Sequence, residues 1–191
     1  MLAFPIFATF ILVPIVTKIS RKLDKKHIFI CALSISAVGL FTFGFINVNS
    51  VSLLFCNYIV YTIGNTVYWQ LMPATIYDMC EADQLINHKN RAGLLVSLQS
   101  LSESLSNALG FQILGLVLSI AGFDGTIAVQ CDTALLFTKL LFTVIPALFF
   151  AGAVFMLIRY PINKRMFGRI LEALEKQKAG EEIDMTEFSK I

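Results

Sequence analysis

Residues 134–158 read ALLFTKLLFTVIPALFFAGAVFMLI and carry a single charged side chain, Lys139. A helix of roughly 20 predominantly apolar residues spans the hydrocarbon core of a bilayer, so this run predicts a transmembrane helix. Four earlier stretches are of the same kind, and the five predicted spans are residues 2–17, 28–47, 52–77, 94–121 and 134–158. The sequence therefore predicts an all-α fold, a polytopic membrane helix bundle with five transmembrane helices.

The overall composition agrees with a membrane environment. Of the 191 residues, 57% are hydrophobic and 15% are charged, and the mean hydropathy is +0.74. Average soluble domains are about 45–50% apolar and about 25% charged, so soluble enzymes are excluded and the lipid bilayer is the expected partner. The net charge of +2 is too small to indicate nucleic acid binding. The four cysteines show no CxxC spacing, so neither a metal site nor a disulfide framework is predicted.

The distribution of lysine and arginine predicts the orientation of the chain. All 15 of these residues except Lys139 lie in the segments 18–27, 78–93 and 159–191. Because cytoplasmic segments carry the excess of basic residues, these three segments are predicted to be cytoplasmic. The chain is therefore expected to be a multi-pass protein of the cell membrane with a cytoplasmic C-terminus.

The chain divides into a membrane domain, residues 1–159, and a tail, residues 160–191. Apolar residues recur in the tail at the spacing of an amphipathic helix, namely Met166, Phe167, Ile170, Leu171 and Leu174. Such a helix would lie on the cytoplasmic ends of the bundle or on the lipid surface. A solvated tail that frays after Lys178 is the alternative.

Polar side chains recur on the third and fourth predicted helices. Gln99, Glu103 and Asn107 are spaced four residues apart and so share one helical face. An ionisable group is costly in hydrocarbon, so this face is expected to line a cavity. On the third helix, aromatic rings that cover C–H faces stand beside amides that bind hydroxyls, as a sugar-like ligand requires. The candidate cavity residues are Tyr61, Asn65, Trp69, Gln99, Glu103 and Asn107.

Helix packing is the competing interpretation of both stripes. Ser102, Ser106 and Gly110 lie beside the fourth-helix stripe, and small residues at this spacing permit close approach of a neighbouring helix. The third-helix stripe would equally suit a polar helix contact or an interfacial aromatic belt.

Between the third and fourth predicted spans, a group of acidic residues is followed by a group of basic residues. Carboxylates at the end of the third helix are followed by two cations, and pairs between them would form a cytoplasmic gate. Exposed pairs of this kind are individually weak. The candidate gate residues are Asp78, Glu81, Asp83, Lys89 and Arg91.

Residues 73–125, PATIYDMCEADQLINHKNRAGLLVSLQSLSESLSNALGFQILGLVLSIAGFDG, resemble the tenth and eleventh helices of the glycoside–pentoside–hexuronide:cation symporters. These are relatives of the melibiose carrier within the major facilitator superfamily. The matching features, in order, are Ala74 with Asp78, the acidic Glu81 and Asp83, the basic Lys89 and Arg91, the run Ala108, Leu109 and Gly110, and the pair Gly122 and Phe123. Residues 159–177, RYPINKRMFGRILEALEKQ, similarly resemble the segment after the family's last helix.

This resemblance implies that the five helices are similar to helices 8–12 of a twelve-helix carrier, and that the chain is a C-terminal half, truncated or split. The implied function is secondary active transport of sugars or glycosides by alternating-access symport. The implied partners are a sugar-like substrate and the missing N-terminal half. No cofactor is expected, and a coupling cation, Na⁺ or H⁺, would bind in that missing half. An amphipathic lipid is left open as a substrate.

Two positions depart from the family pattern. Ser104 stands where the family commonly has a lysine, and Ala92 or Gly93 stands where members often have a glutamate. A small membrane scaffold without transport activity is the alternative function. An enzyme is not expected, because His27 and His88 fall in predicted loops and no HExxH or GxSxG motif occurs.

Overall fold

The computed structural model describes residues 3–46, 51–127, 130–179 and 188, and these ranges contain helices and no strand. In chain order the helices are α1 (Ala3–Lys22), α2 (Lys25–Phe45), α3 (Val51–Asn87), α4 (Ala92–Ile120), α5 (Asp132–Phe142), α6 (Val144–Arg159) and α7 (Lys164–Ala179). The predicted all-α membrane bundle is confirmed. The predicted span limits at Leu2 and Asn47, and the tail beyond Ala179 apart from Phe188, lie outside the described residues.

Three helical segments are long and apolar enough to cross a membrane: Lys25–Phe45, Ala92–Ile120 and Asp132–Arg159. They correspond to the second, fourth and fifth predicted spans. The other two predicted spans are also helical. The first lies in α1, whose apolar segment includes Thr9–Ser20, and the third lies in α3, where amides and hydroxyls lower the hydropathy.

The connections that follow α1 and α3 are shorter than the sequence predicts. Helix α3 runs to Asn87 instead of ending near residue 77, and α2 begins at Lys25 instead of residue 28. The charged stretches lack helix-breaking proline or glycine, so they extend the helices beyond the apolar spans. Asp24 then caps α2, because its carboxylate accepts a hydrogen bond from the Lys26 amide at 3.1 Å.

The last predicted span is interrupted. Helix α5 begins at Asp132 and ends at Phe142, and Thr143 has φ −125° and ψ −71°, outside the helical region. Pro146 has no amide hydrogen to donate to the carbonyl four residues earlier, which is that of Phe142. At the break, the Thr143 hydroxyl donates to the Lys139 carbonyl at 2.6 Å. The prediction of one unbroken helix over residues 134–158 is therefore wrong at this point.

The core of the bundle lies where α2 packs against α3 and α6. A side chain at Gly64 would bring its Cβ within 2.8 Å of Ser36 Cβ, so glycine is what allows α2 and α3 to approach. The Ser36 hydroxyl donates to the Val60 carbonyl at 2.8 Å across the same contact. Helix α4 is different, because none of its residues, all of which are described, is buried.

The tail helix α7 packs on the last turns of α3, residues 78–87, called here the α3 extension. Its apolar face is buried against that extension in a cluster that comprises Ala82, Leu85, Ile162, Ile170, Ala173, Leu174 and Phe188. This packing on the end of the bundle is one of the two positions that the sequence predicts for the helix. Because its apolar face is buried against these residues, α7 holds the α3 extension in place.

Candidate functional site: the cleft between α3 and α4

A cleft of about 390 Å³ separates α3 from α4. It begins near the α3–α4 connection and follows the two helices away from it. Its walls combine aromatic and apolar side chains with a row of polar ones, and the lining residues are Tyr68, Trp69, Met72, Ile76, Met79, Leu95, Leu98, Gln99, Ser102, Glu103, Ser106 and Asn107. Four of the six predicted cavity residues, Trp69, Gln99, Glu103 and Asn107, meet in this cleft.

The polar wall belongs to α4. Gln99 and Glu103 are half-buried and face α3, and Asn107 continues the row. Within the described part of the chain, the side chains of these three residues make no hydrogen bond. The hydroxyl of Ser102 is already committed, since it donates to the Leu98 carbonyl at 2.9 Å. Within the described residues, the uncommitted donors and acceptors of the cleft are therefore two amides, one carboxyl group, the hydroxyls of Ser106 and Tyr68 and the indole N–H of Trp69.

The opposite wall belongs to α3 and is aromatic at the same level. Trp69 is 53% exposed and presents its indole to the cleft. Tyr68 contacts it edge to face, with ring centroids 5.8 Å apart and the planes at 84°. Tyr68 in turn lies 6.3 Å from the ring of Phe29 on α2, so the aromatic wall is supported by the core.

Two predicted cavity residues are not brought to this cleft. Tyr61 stacks on Phe150 of α6, with centroids 6.2 Å apart and the planes at 22°. Asn65 is half-buried and does not line the cleft. At 3.6 residues per turn, Asn65 lies about one turn and Tyr61 about two turns before Trp69 along α3, beyond the end of the cleft. The structure therefore does not bring Tyr61 and Asn65 to the wall opposite Gln99, and their place in a substrate cavity stays a prediction.

The sequence prediction missed the apolar part of the lining. Met72, Ile76 and Met79 recur at the spacing of one helical face, and that pattern was present in the sequence. It was not distinguishable there from a lipid-facing stripe, because apolar side chains suit both surroundings.

The five gate candidates do not form one cluster. Asp83 pairs with Arg91, whose Nε lies 3.0 Å from Oδ2 and whose Nη2 contacts Oδ1. The Arg91 guanidinium holds the pKa of Asp83 below its usual range. Lys89 is exposed, and the buried Oε2 of Glu81 has no hydrogen-bond partner among the described residues.

Asp78 pairs instead with Lys25, at the start of α2, with Nζ 3.0 and 3.1 Å from the two carboxylate oxygens. Nothing in the sequence indicates this contact, because Lys25 lies far from Asp78 along the chain, in a stretch predicted to be a loop. Burial raises the pKa of Asp78, and Lys25 partly offsets that increase.

A second, smaller cavity of about 170 Å³ lies beside this ion pair. The Asp24 carboxylate accepts a hydrogen bond from the Lys164 amide at 3.2 Å, which ties the start of α7 to the start of α2. Lys26 Nζ donates to the Tyr160 carbonyl at 2.6 Å just after α6. These contacts are structural links. Among the residues that the structure describes, no three His, Cys, Asp or Glu side chains are placed to hold a metal ion.

Comparison with known proteins indicates the family to which this chain belongs. The chain is 26% identical over 173 residues to an uncharacterised symporter of Synechocystis sp., a match that covers 86% of this chain and 31% of that relative. The chain thus spans about a third of the relative's length. No solved structure gives a significant match. The family model described as MFS/sugar transport protein matches residues 1–164, and this membrane protein therefore belongs to that family.

Proposed function

We propose that this chain is the C-terminal half of a secondary active transporter for sugars or glycosides, which works by alternating-access symport. The observation that carries the proposal is the α3–α4 cleft, where Gln99, Glu103 and Asn107 face Trp69 without a hydrogen-bond partner in the described part of the chain. The family match and the relative whose name describes a symporter support the same class.

The polar groups of the cleft lack partners within the described part of the chain, and this makes a ligand favourable there. An unpaired amide or carboxyl group in an apolar environment is unfavourable, so it is expected to face water or a ligand. Sugar hydroxyls both donate and accept hydrogen bonds, and amides and a carboxyl group offer the complementary partners. The indole of Trp69 would cover an apolar face of the sugar ring, since ligand sites combine aromatic walls with a few polar groups.

The rest of the carrier follows from the family resemblance and is part of the proposal. The opposing wall and the site for a coupling cation, Na⁺ or H⁺, belong to a missing N-terminal half. In this proposal the cytoplasmic side of the cell membrane is faced by the α3 extension, α7 and the Asp83–Arg91 pair. Glu81 and Lys89 would form ion pairs there with charged residues of the N-terminal half. The protein is not an enzyme in this proposal.

Ligand binding is tested through Trp69, the single tryptophan of the chain. The chain is placed in nanodiscs of phosphatidylcholine, and methyl glycosides, pentosides and uronides are titrated while tryptophan emission is followed. A saturable change that Glu103→Gln weakens and Ser104→Ala leaves unchanged supports the proposal. If no saturable change occurs with any of these compounds, the proposal fails.

A membrane scaffold is the second candidate, and the exposed state of α4 favours it. Both its polar stripe and its leucines would then contact partner helices, as membrane helices with small and polar residues do. Under this function the fluorescence of Trp69 does not respond to sugars. Addition of partner helices, instead, changes it.

A further inference from the structure

The apolar segment Asp132–Arg159, which is long enough to cross a membrane, ends in an exposed cation. The guanidinium carbon of Arg159 lies over the ring of Phe155, 4.4 Å from the ring centroid. Phe155 and Met156 are themselves exposed on α6. An arginine at the end of an apolar helix rests its methylene groups on apolar surface and holds its charge at the level of the lipid headgroups. A lipid at this place would therefore meet a cation at its phosphate and an apolar wall along its acyl chain.

Folding brings a second cation to the same place. Lys26, at the start of α2, donates from Nζ to the Ile158 carbonyl at 3.2 Å and to the Tyr160 carbonyl at 2.6 Å. These carbonyls lie on either side of Arg159 in the chain. Both are neutral, so the hydrogen bonds fix the position of the ammonium group without neutralising its charge. Two basic segments that are far apart in the sequence thus meet at the end of α6.

The beginning of α7 adds further positive charge next to these cations. Lys164 and Arg165 are exposed in its first turn, and the Lys164 amide donates to the Asp24 carboxylate at 3.2 Å. Two carboxylates line the adjoining cavity, and both already have partners. Asp24 accepts hydrogen bonds from backbone amides, and Asp78 pairs with Lys25. The end of α6 therefore keeps an excess of positive charge.

We propose that Arg159 and Lys26, together with the first turn of α7, bind the headgroup of an anionic phospholipid, whose acyl chain lies against Phe155 and Met156. This site is called here the headgroup site, and it does not depend on the proposed transport of sugars. A guanidinium group can donate two parallel hydrogen bonds to phosphate oxygens, and a lysine adds a compact charge. A zwitterionic lipid binds less tightly, because the ammonium group of its choline is repelled by the same cations.

A tryptophan placed beside the headgroup site can report on the lipid that occupies it. Met156 is suited to this purpose, because it is 70% exposed and lies three residues before Arg159, on the same face of α6. The substitution Met156→Trp is made together with Trp69→Phe, which removes the single natural tryptophan. The full chain is placed in phosphatidylcholine nanodiscs that contain increasing fractions of phosphatidylglycerol or phosphatidylcholine with brominated chains, which quench indole emission.

The concentration dependence of the quenching gives the affinity of the site for each lipid. We expect phosphatidylglycerol to bind about fivefold more tightly than phosphatidylcholine, because one basic residue near an anionic lipid contributes about this factor. The preference should decrease as sodium chloride is added, since exposed charges are screened by salt.

Variants assign the preference to the headgroup site. Arg159→Gln is expected to lower the preference for phosphatidylglycerol about fivefold, to near equality of the two lipids. Arg159→Lys keeps the charge and is expected to retain most of the preference. Lys178→Gln is the matched control, because it removes one exposed cation of α7 that lies about 21 Å along the helix from Lys164, at 1.5 Å per residue. This control is expected to leave the preference unchanged.

Three outcomes would overturn the headgroup site. Equal quenching by the two brominated lipids in the parent background would show that the site does not select an anionic lipid. Equal losses from Lys178→Gln and Arg159→Gln would show that the charge of the whole surface, and not a local site, attracts the lipid. Loss of the preference when inorganic phosphate replaces chloride at constant ionic strength would identify a soluble anion as the ligand. A preference that Arg159→Gln removes, and that Arg159→Lys and Lys178→Gln retain, would support the proposal.

Discussion

The α3 extension and the α3–α4 cleft are parts of one helix pair, yet they are built in opposite ways. In the extension, Leu85 is fully buried against α7, and Asp78 has a cation from another helix. In the cleft, the carboxyl group of Glu103 has no partner among the described residues, and α4 buries none of its side chains. With the exception of the buried Glu81 Oε2, which has no hydrogen-bond partner among the described residues, the extension is a region whose groups find partners within this chain, whereas the polar stripe of the cleft is not. The difference predicts where substitutions affect stability and where they affect binding.

The largest effect on stability is expected for Ile170→Ala in the buried face of α7. Ile170 is fully buried in the cluster with Leu85 and Leu174. Truncation of a buried isoleucine costs about 2–5 kcal/mol, so α7 should detach from the α3 extension or open much more often. Amide hydrogen exchange of α7 in nanodiscs measures this opening.

The neighbouring Leu171 provides a matched control, because it is 39% exposed and does not belong to the buried cluster. Leu171→Ala is expected to change the exchange of α7 by much less than Ile170→Ala. If both variants have equal effects, α7 is not held by this cluster, and the contrast between extension and cleft disappears.

The second largest effect is expected for Lys25→Met, which removes the partner of Asp78. The Asp78 side chain is only 14% exposed, and leaving a buried acceptor unsatisfied costs about 1–3 kcal/mol. Lys18→Met, at an exposed position on α1, is the control and should have little effect. Thermal unfolding in nanodiscs at neutral pH measures the difference.

The pH dependence of this loss has a definite sign. Burial raises the pKa of Asp78 above its ordinary value, and removal of Lys25 would raise it further. A group whose folded-state pKa is raised favours folding below its unfolded pKa and loses that contribution as the pH rises through the folded-state pKa. The destabilisation by Lys25→Met should therefore shrink as the pH falls and Asp78 becomes protonated. A loss that is constant with pH would contradict the role given to the ion pair.

Asp83→Asn is expected to have a smaller effect on stability, and this effect should depend on pH in the opposite direction to that of the Asp78 group. The pKa of Asp83 is lowered by Arg91, so its contribution to stability is present above the unfolded pKa and is lost as the pH falls through the folded-state pKa. The pair is exposed and screened by salt, and the change should be smaller than that of Lys25→Met. Unfolding midpoints of the variant and the parent should differ at neutral pH and converge in acid. A difference that persists in acid would show that Asp83 acts through packing.

The fold follows from local properties of the sequence more closely than the contacts between helices do. The apolar runs predicted the all-α membrane fold because a bilayer imposes a length and a polarity that any spanning helix must satisfy. The four-residue spacing of Gln99, Glu103 and Asn107 predicted their common face, since helix geometry fixes it.

What the sequence could not provide was the partner of each group. The Lys25–Asp78 pair joins residues far apart along the chain, and nothing local to either residue encodes it. Tyr61 does not line the cleft, and its ring instead stacks on Phe150 of α6, a contact that depends on how α3 packs against α6. Pro146 lies three residues after the break at Thr143. It does not predict the break, because a proline in a membrane helix is compatible with either a kink or a continuous helix.

The smallest effect on stability is expected for Glu103→Gln, in the cleft itself. The amide has the shape of the carboxyl group, and Glu103 makes no hydrogen bond within the described part of the chain, so no contact in the bundle is lost. The unfolding midpoint should stay at the parent value, and Glu103→Leu should insert equally well because leucine is favourable in hydrocarbon. Sugar affinity behaves differently, since the loss of a charged hydrogen bond should weaken binding by about 1–3 kcal/mol. Ser104→Ala should change neither property, because the Ser104 hydroxyl donates to the Ser100 carbonyl at 2.9 Å within α4. A Glu103→Gln variant that loses stability but keeps sugar binding would reverse the comparison and make Glu103 a packing residue.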